Sequence, residues 1–397
     1  MGKGAVKVWR RYGKNTRLIR AEPFVAREAV PMADEIRVKK DDLTAFCVAV
    51  LEKLGVPRRD AEIVTEVLVV ADLRNKGSHG VARFGRYVDG LKKGIMVPTD
   101  RSSVVRETAT TALIDGGASL GQVVGHRAMA LAIRKAKEHG TGFVAVRNSN
   151  HYGIAGYFAL MAVEEGCIGM SMTNTAPLVV PTFGRDAILG TNPIAVAMPA
   201  EGEPFVFDAA TSVVPRGKLE VYDRQSKPMP MGWAVDARGK GTTNAKEVLG
   251  NLGKNLGGGI LPLGGEGEEF SGHKGYGLAM LVELLSSLLA GGAFGLGTFS
   301  EGGSANIAHF FGAIRVDAFR PLPEFKRDVR KFLDEIRNGT KAEGQDRIYV
   351  HGEKGLAAER ERLAKGISLG PKVVEGLKKI GEEFGVPWPA RGEPSRT

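Results

Sequence analysis

Side chains that can bind an organic acid and move a proton lie close together in one short stretch of the chain. Ser78 and His79 are followed by Arg83 and Tyr87. If the chain is helical after the glycine that follows His79, then His79, Arg83 and Tyr87 share one face at i, i+4 and i+8. A guanidinium grips a planar carboxylate through two parallel hydrogen bonds, and an imidazole exchanges protons near neutral pH. The spacing therefore predicts a site for a carboxylate-bearing substrate; the alternative is a surface helix whose arginine meets solvent.

A second polar run, Asn148-Ser149-Asn150-His151, lies between a predicted strand and a predicted amphipathic helix. We expect the end of this strand to point His151 into a cleft, where it could serve as a general base. The three residues before it are expected to hydrogen-bond the turn and to hold the tautomer of the imidazole. Asp208 is predicted to be the carboxylate that orients a catalytic histidine. For any one histidine taken alone, a structural hydrogen-bonding role is the alternative.

Neither a metal site nor a standard phosphate loop is predicted. The seven histidines form neither HxxxH nor HExxH, and no acidic residue completes a metal triad on one helix. The glycine-rich run at 115–121 matches neither G-x-G-x-x-G nor a P-loop, because Gln122 and Val123 stand where a P-loop needs Lys and Ser or Thr. We therefore expect no Rossmann fingerprint and no metal.

The net charge of +10 is concentrated near the start of the 397 residues. Residues 1–31 contain eight Lys and Arg against two Glu, a net of +6, which leaves +4 for the rest. We interpret this basic segment as a dispensable extension, with no nucleic-acid partner; the remote alternative is a non-catalytic protein that binds nucleotides or polyanions through it. No stretch reaches the roughly 18 apolar residues of a membrane span, and the extension lacks a signal-peptide core. Two isolated cysteines agree with the cytoplasmic location that we expect.

The apolar patterns predict a mixed α/β fold. Helical spacing at 41–56 and 59–74 predicts an N-terminal helical section, and residues 353–384 read as helical again. Short runs rich in β-branched residues follow one another between residues 111 and 210. After residue 142, one clear helix, at 154–165, lies among these runs. That order favours a mostly antiparallel or mixed central sheet over strict βαβ winding. Residues 273–292 are predicted to form a mostly buried helix.

We expect four parts along the chain. They are a basic, disordered extension (1–35), a helical substrate-side segment (36–110), a central sheet domain that binds a dinucleotide (111–318), and a C-terminal helical segment that packs against 36–110 (319–397).

Several motifs, in this order, resemble the malate/L-lactate dehydrogenase family, especially its archaeal malate dehydrogenases. The matching pieces are ADLRNKGSHGVARFGRYVDGLKKG, RNSNHYGIAGYFALMAVEEGCIGMSMTNT, ILGTNPIAVAMP, FDAATSVVPRGKLEVY, LPLGG and GHKGYGLAMLVELLSSLLAGG. The resemblance runs from about residue 36 to 385. It implies NAD or NADP as the cofactor, held by a fold unrelated to the Rossmann domain, and a homodimer.

The resemblance also assigns roles to residues. His151 matches the proposed proton acceptor, although in imino-acid-reducing relatives the pair matching Ser78-His79 takes that role, and the sequence leaves both open. His79, Arg83, Tyr87 and Thr191 match substrate-side positions. The positions that resemble dinucleotide contacts are Ala209, Ala210, Thr211, His273, Lys274, His351, Gly352 and Glu353. Lys76 departs from the family pattern and adds a charge beside the Ser-His pair.

The expected reaction is hydride transfer between a 2-hydroxy acid and the nicotinamide cofactor, with malate and oxaloacetate as the first choice. Lactate, sulfolactate and a cyclic imino acid remain alternatives, because the same chemistry at the 2-position serves all of them. A second basic group placed for a distal carboxylate would favour malate, and the sequence does not locate one.

Overall fold

The computed structural model describes residues 36–298 and 306–389. The predicted N-terminal extension lies outside these ranges. The helices are α1 (Lys40–Lys53), α2 (Arg58–Leu73), α3 (Phe84–Lys92), α4 (Gly121–His139), α5 (Ala155–Glu164), α6 (Arg216–Arg224), α7 (Ala245–Lys254), α8 (Gly272–Glu283), α9 (Leu322–Arg337), α10 (Glu353–Lys365) and α11 (Pro371–Phe384). The strands are β1 (Ile36–Val38), β2 (Ser103–Glu107), β3 (Thr111–Asp115), β4 (Thr141–Ser149), β5 (Cys167–Thr173), β6 (Ile194–Met198), β7 (Phe205–Ala209), β8 (Ala234–Val235), β9 (Gly241–Thr242), β10 (Gly259–Ile260), β11 (Ile307–Arg315) and β12 (Ile367–Leu369).

The central sheet has seven strands in the order β2-β3-β4-β11-β5-β6-β7. All neighbours are antiparallel except β3 and β4, which run parallel and are joined through α4. β11 lies in the middle and is buried over most of its length, which explains its almost wholly apolar sequence. This mixed sheet confirms the predicted fold class. It begins at β2, before residue 111, where we expected the sheet domain to start.

Helices cover both faces of the sheet. α4 and α5 pack on one face through a buried cluster that includes Met129, Phe158 and Phe311. On the other face, Val282 of α8 packs against Met172 and Phe310. The layers place the C-terminal end of β4, and therefore His151, beside the first turn of α4.

A helical layer forms from the two ends of the described chain. Residues of α1, α2, α3 and α11 share one buried cluster, and β1 pairs with β12 in antiparallel register, Ile36 opposite Leu369. The helical stretch predicted at 353–384 is interrupted by β12, a strand of three residues that separates α10 from α11.

A small sheet of β10, β8 and β9 packs with α6 and α7 around a separate buried cluster that includes Leu219 and Val248. None of the helices in the described ranges is long and apolar enough to cross a bilayer.

The prediction of a mostly buried helix at 273–292 is wrong in one respect. α8 ends at Glu283 and continues as a π-helical turn over Leu284–Leu288, and one side of this element is exposed. The exposed apolar side chains are Leu278, Met280, Leu281, Leu284, Leu288 and Leu289. The sequence is apolar on all sides of the helix: one face meets the sheet, and the opposite face is left exposed by residues 36–298 and 306–389.

Candidate active site

The loop after α2 is built on a buried aspartate. The Asp72 carboxylate accepts a hydrogen bond from the backbone N–H of Val81 at 2.7 Å. A Cβ at Gly80 would lie 2.0 Å from an oxygen of Asp72, so only glycine fits there. Burial raises the pKa of Asp72 to about 6, against the opposing effects of the Val81 N–H and of Arg362. The turn that carries His79 is therefore wrapped closely around one carboxylate.

α10 supports the same loop from the other end of the described chain. Arg362 donates to the side-chain oxygen of Asn75 at 2.7 Å and also to the backbone carbonyl of Asp72. Arg74 pairs with Glu359 at 2.8 Å, with both side chains largely covered. The loop is thus held by residues almost 290 positions away in the chain.

The condition that the chain be helical directly after the glycine at position 80 is not met in its first turn. Gly77–His79 and Val81–Arg83 form two short 3-10 turns, separated by Gly80 in an extended conformation, and α3 begins only at Phe84. The Val81 bond to Asp72 breaks the helix at this point. His79 therefore lies before the helix and not on its face.

Ser78, His79 and Arg83 nevertheless form one hydrogen-bonded group. The Ser78 hydroxyl lies 2.9 Å from Nδ1 of His79. Nε of Arg83 donates to the backbone oxygen of Ser78 at 2.8 Å, which leaves the terminal nitrogens of the guanidinium available for a ligand.

The polar run before His151 ties the turn to the loop that follows β3. Asn148 has a positive φ of 50°, and its amide donates to Asp115 at 2.8 Å. The buried Asn150 amide donates to the backbone oxygens of Ala118 and Ser119 at 2.9 and 3.0 Å. These contacts agree with the predicted role of the polar run in fixing the turn.

The tautomer of His151 is held by a different residue from those predicted. The Tyr87 hydroxyl lies 2.6 Å from Nδ1 of His151, whereas the hydroxyl of Ser149 lies 2.9 Å from the buried His309. The rings of His79 and His151 stack with centroids 5.6 Å apart and planes inclined by 21°. Two segments that are 64 residues apart in sequence therefore meet at one imidazole.

Burial and nearby positive charge keep both imidazoles neutral. Burial, followed by Arg86, His79 and Arg83, lowers the pKa of His151 well below its usual value. Burial, followed by Arg83, lowers the pKa of His79 to about 4, against an opposing effect of Asp208. Our expectation of a histidine with a near-neutral pKa is therefore corrected: at pH 7, before an anion binds, both rings are uncharged bases.

Arg86 is a site residue that the sequence reasoning missed. It is exposed, precedes Tyr87 directly, and lies one helical turn from Arg83. Across the described ranges, neither guanidinium forms an ion pair with a carboxylate. The signal available in the sequence was the i, i+3 spacing of the two arginines. Two unpaired positive charges beside a neutral histidine and a phenol form a site that can bind an anion and accept a proton.

Asp208 is close to this site, although its partner differs from the one predicted. Its carboxylate pairs with the ammonium group of Lys76 and not with a histidine. The charge that Lys76 adds beside the Ser-His pair is therefore neutralised. A Cβ at Gly156 would lie 2.9 Å from an oxygen of Asp208, so the start of α5 approaches the carboxylate closely.

A cavity of about 450 Å³ opens beside this ion pair. Lys76 and Asp208 line one side, and His351, Gly352 and Lys354 line the other, together with apolar side chains. Gly352 has a positive φ of 99°, which favours glycine. Positive and apolar walls in a cavity of this size suit the phosphates and rings of a dinucleotide.

The remaining predicted cofactor residues lie in different settings. The Thr211 hydroxyl is bonded to the backbone oxygens of Thr191 and Asn192, so it holds the Thr191 loop next to Ala209 and Ala210. His273 and Lys274 are exposed at the start of α8. No hydrogen bond or ring contact joins Thr191, His273 or Lys274 to His151 within the described residues.

Glu353 serves the loop at 350–352 and does not line the cavity. It is buried, pairs with Arg337 and Arg347, and accepts a hydrogen bond from the backbone N–H of Val350 at 3.1 Å. In the described part of the chain, no group of three or more metal-ligating side chains is placed to hold a metal ion.

Comparison with known proteins assigns this fold and site to a class. The model of the malate/L-lactate dehydrogenase family matches residues 38–378. The chain is 52% identical to a malate dehydrogenase of Pyrococcus horikoshii, over 88% of this chain and 96% of that protein. It is 40% identical to an L-sulfolactate dehydrogenase of Methanocaldococcus jannaschii, over 88% and 97% respectively. The crystal structure of a malate dehydrogenase from Entamoeba histolytica superimposes with a TM-score of 0.87 at 40% identity, covering 90% of this chain and all of that one.

The chain belongs to the malate/L-lactate dehydrogenase family. It is therefore an oxidoreductase of 2-hydroxy acids that uses a nicotinamide cofactor.

Proposed function

We propose that this chain is an NAD- or NADP-dependent malate dehydrogenase that interconverts malate and oxaloacetate. The observation that carries the proposal is the contact of Tyr87 with His151, flanked by the unpaired guanidinium groups of Arg83 and Arg86. It supplies a proton acceptor and two positive charges in one cluster. Malate carries two carboxylates and one hydroxyl, and this cluster suits each of them.

His151 is the proposed general base. Its Nδ1 faces Tyr87, so Nε2 is the nitrogen left for the substrate hydroxyl. The lowered pKa keeps this nitrogen unprotonated before malate binds. Nε2 takes the proton of the substrate hydroxyl, and a nicotinamide cofactor held in the neighbouring cavity would supply the acceptor for the hydride from C2. In the reverse direction, the protonated ring returns the same proton to the carbonyl oxygen.

Ser78 and His79 are proposed as a second polar pair beside the base. The stacked His79 ring adds a neutral imidazole, and its Nδ1 is already engaged by Ser78. Burial lowers the pKa of both rings, so the assignment is based on the contact of the Tyr87 hydroxyl with Nδ1 of His151, which leaves Nε2 of that ring for the substrate. We therefore assign His79 to substrate positioning and His151 to proton transfer.

Arg83 and Arg86 are proposed to bind the two carboxylates of malate. Arg83 is already anchored through Nε, which prepares its outer edge for a two-pronged contact with the carboxylate next to C2. Arg86, one turn further along α3, is assigned to the distal carboxylate. Lactate has only one carboxylate, so one guanidinium would be left without a partner. Sulfolactate is also a dianion, and here the support for malate is the greater identity to a malate dehydrogenase.

The cavity beside the Lys76–Asp208 pair is proposed to hold the dinucleotide. His351 and Gly352 line it directly, and Lys354 adds a positive charge for phosphate. Ala209 ends β7 directly after Asp208, which lines the cavity, and Ala210 follows it. Thr211 and Glu353 are assigned to holding the neighbouring loops, and the walls suit either NAD or NADP.

We further propose a homodimer in which the exposed apolar face of α8 and its π-helical turn meets a second copy of this chain. Six large apolar side chains are exposed on adjacent turns, and grouped apolar side chains of this kind mark interaction surfaces. His273 and Lys274 begin the same element, so a dimer would bring them to the interface. We also infer a cytoplasmic location, supported by the two cysteines, which are buried and unpaired.

Initial rates with a panel of substrates test the function. Oxaloacetate, pyruvate, sulfopyruvate and a cyclic imine are each paired with NADH and with NADPH, and nicotinamide absorbance is followed. We expect the highest kcat/KM with oxaloacetate, and the better reduced cofactor in the same panel assigns NAD or NADP. A higher kcat/KM with pyruvate or with sulfopyruvate would refute malate as the substrate.

A further inference from the structure

Gln122 is a buried amide next to the proposed base. It lies in the first turn of α4 and is fully buried. A Cβ at the preceding Gly121 would lie 2.1 Å from the backbone oxygen of Asn150 and 2.6 Å from that of His151. This turn of α4 is therefore packed directly against the backbone that carries His151.

Gln122 lies in a part of the chain that belongs to a buried apolar cluster. Its neighbours Leu120 and Val123 belong to the same buried cluster as Tyr87. Neither the oxygen nor the nitrogen of the Gln122 amide has a hydrogen-bond partner of standard geometry among the described residues. Burying an amide in this way costs stability, and a leucine of similar size would avoid that cost. A polar residue at a buried position where leucine would be more stable therefore indicates a functional role.

The phenol of Tyr87 is the polar group close to this amide. Burial raises the pKa of Tyr87 above its usual value, and Arg86 and the Gln122 amide oppose that increase. The phenol therefore keeps its proton at neutral pH and can donate one hydrogen bond while accepting another. One of its contacts is already Nδ1 of His151.

The chemistry of His151 determines which way this hydrogen bond must point. When Nε2 exchanges the substrate proton, the ring alternates between the neutral and the cationic form. Nδ1 carries a proton in both forms, because a base with a free Nε2 is the tautomer protonated at Nδ1. The Tyr87 oxygen must then accept from Nδ1, and its own proton has to be donated to another acceptor.

We infer that Gln122 is a positioning residue, whose amide oxygen accepts the hydrogen bond of the Tyr87 hydroxyl and so holds His151 in the tautomer with a free Nε2. The amide opposes the increase in the Tyr87 pKa, as an amide N–H that donates to the phenol oxygen does, so the inference requires the amide to be turned by half a turn about its last side-chain bond. Neither amide atom gives up another hydrogen bond of standard geometry in that turn. Each hydrogen bond in the series Gln122–Tyr87–His151 then has one fixed donor. Nδ1 of His151 donates to the Tyr87 oxygen, and the Tyr87 hydroxyl donates to the Gln122 amide oxygen. This inference rests on the proposed role of His151 and deepens it.

Gln122→Leu tests the inference in the full-length enzyme. We expect kcat for malate oxidation to fall about tenfold, as when a partner that fixes an imidazole is lost. KM should be unchanged, because Gln122 does not touch the substrate. The melting temperature should change little, because the variant loses the hydrogen bond to the phenol together with the cost of burying an amide. Gln122→Glu, which keeps an acceptor oxygen, should retain more of kcat than Gln122→Leu.

The decisive measurement is the double variant with Tyr87→Phe. Without the phenol, Gln122 has nothing to orient, so Gln122→Leu should cause no further loss of kcat in that background. An equal loss in both backgrounds, or an unchanged kcat in Gln122→Leu alone, would overturn the inference.

Two controls keep the interpretation clear. Thr65 on α2 is also fully buried with an unpartnered hydroxyl, and Thr65→Val should raise stability and leave kcat unchanged. If His151→Ala keeps wild-type kcat, the proposed function of His151 fails. If His151→Ala and Tyr87→Phe lose activity but Gln122→Leu does not, only the role of Gln122 fails.

Discussion

His151 lies near several positive charges, and no carboxylate of the described residues is bonded to it. Arg86 and Arg83 disfavour its protonated form, after the larger effect of burial. In the proposed binding mode, a dianion paired with both arginines would cancel these charges, and substrate binding would then raise the pKa of His151. The ring is then a free base in the empty site and a better proton acceptor once malate is in place.

Removing the imidazole is the direct test of this assignment. His151→Ala should lower kcat about 10²- to 10⁴-fold, the usual effect of losing an acid–base group. His79→Ala should affect KM more than kcat, because His79 is assigned to substrate positioning. Steady-state kinetics of both variants decide between the two histidines. A loss of kcat in His79→Ala that exceeds the loss in His151→Ala would move the proton-transfer role to His79.

Arg86→Gln should change the pH dependence of malate oxidation. Removal of this charge raises the pKa of His151, so the protonated, inactive form persists to higher pH. The acidic limb of the plot of kcat/KM against pH should lie below the usual histidine pKa in the wild type and should move to higher pH in the variant. The same variant should bind malate less tightly and leave the KM for lactate unchanged. A profile that does not move would remove Arg86 from the site.

At the scale of elements, the first turn of α4 determines where His151 can lie. Gly121 has no room for a side chain, because two backbone oxygens of the 150–151 turn face it. Asn150 binds the loop before α4 from the other side. The strand-end turn and the helix start therefore form one unit.

Gly121→Ala should distort this unit. The added methyl would clash with backbone that cannot rotate away, and overpacking of this kind costs about 1–3 kcal/mol. We expect a lower melting temperature and a lower kcat together. Gly250→Ala in α7 is the matched control, since a Cβ there meets nothing within 4 Å, and it should stabilise the protein by about 0.5–1 kcal/mol. Wild-type activity in Gly121→Ala would contradict this account.

Elements in which apolar residues repeat at a regular spacing were predicted from the sequence. Elements without such a repeat were missed. α4, β4 and β5 are long enough to show helical or alternating apolar spacing. β8, β9 and β10 have two residues each, which is too short for any pattern. The chain is not helical directly after Gly80, because Val81 bonds to Asp72. This is a tertiary contact, which a local sequence pattern does not show.

The site residues were predicted by type, and their partners were not. His79, Arg83, Tyr87 and His151 are chemically distinctive, so the sequence could single them out. The contact between Tyr87 and His151 and the ion pair of Asp208 with Lys76 depend on packing across 64 and 132 positions. No local pattern encodes such distances.

At the scale of the molecule, the uncovered face of α8 predicts association. Leu284→Glu would place a charge in the middle of this apolar face, where burying an unpaired charge is costly. We expect light scattering to show a dimer for the wild type and a monomer for Leu284→Glu. Leu363→Glu is the control, because Leu363 is similarly exposed on α10, away from that face. A monomeric wild type would refute the dimer.

The order in which this chain is synthesised matters because of α10. The ribosome makes the loop carrying His79 early, but Arg362 and Glu359, which fasten Asp72, Asn75 and Arg74, are added almost 290 residues later. Throughout most of translation the nascent chain therefore contains its arginines and histidines without the brace that aligns them. We therefore expect ligand affinity to develop only after residues 353–365 have been synthesised and have docked against this loop.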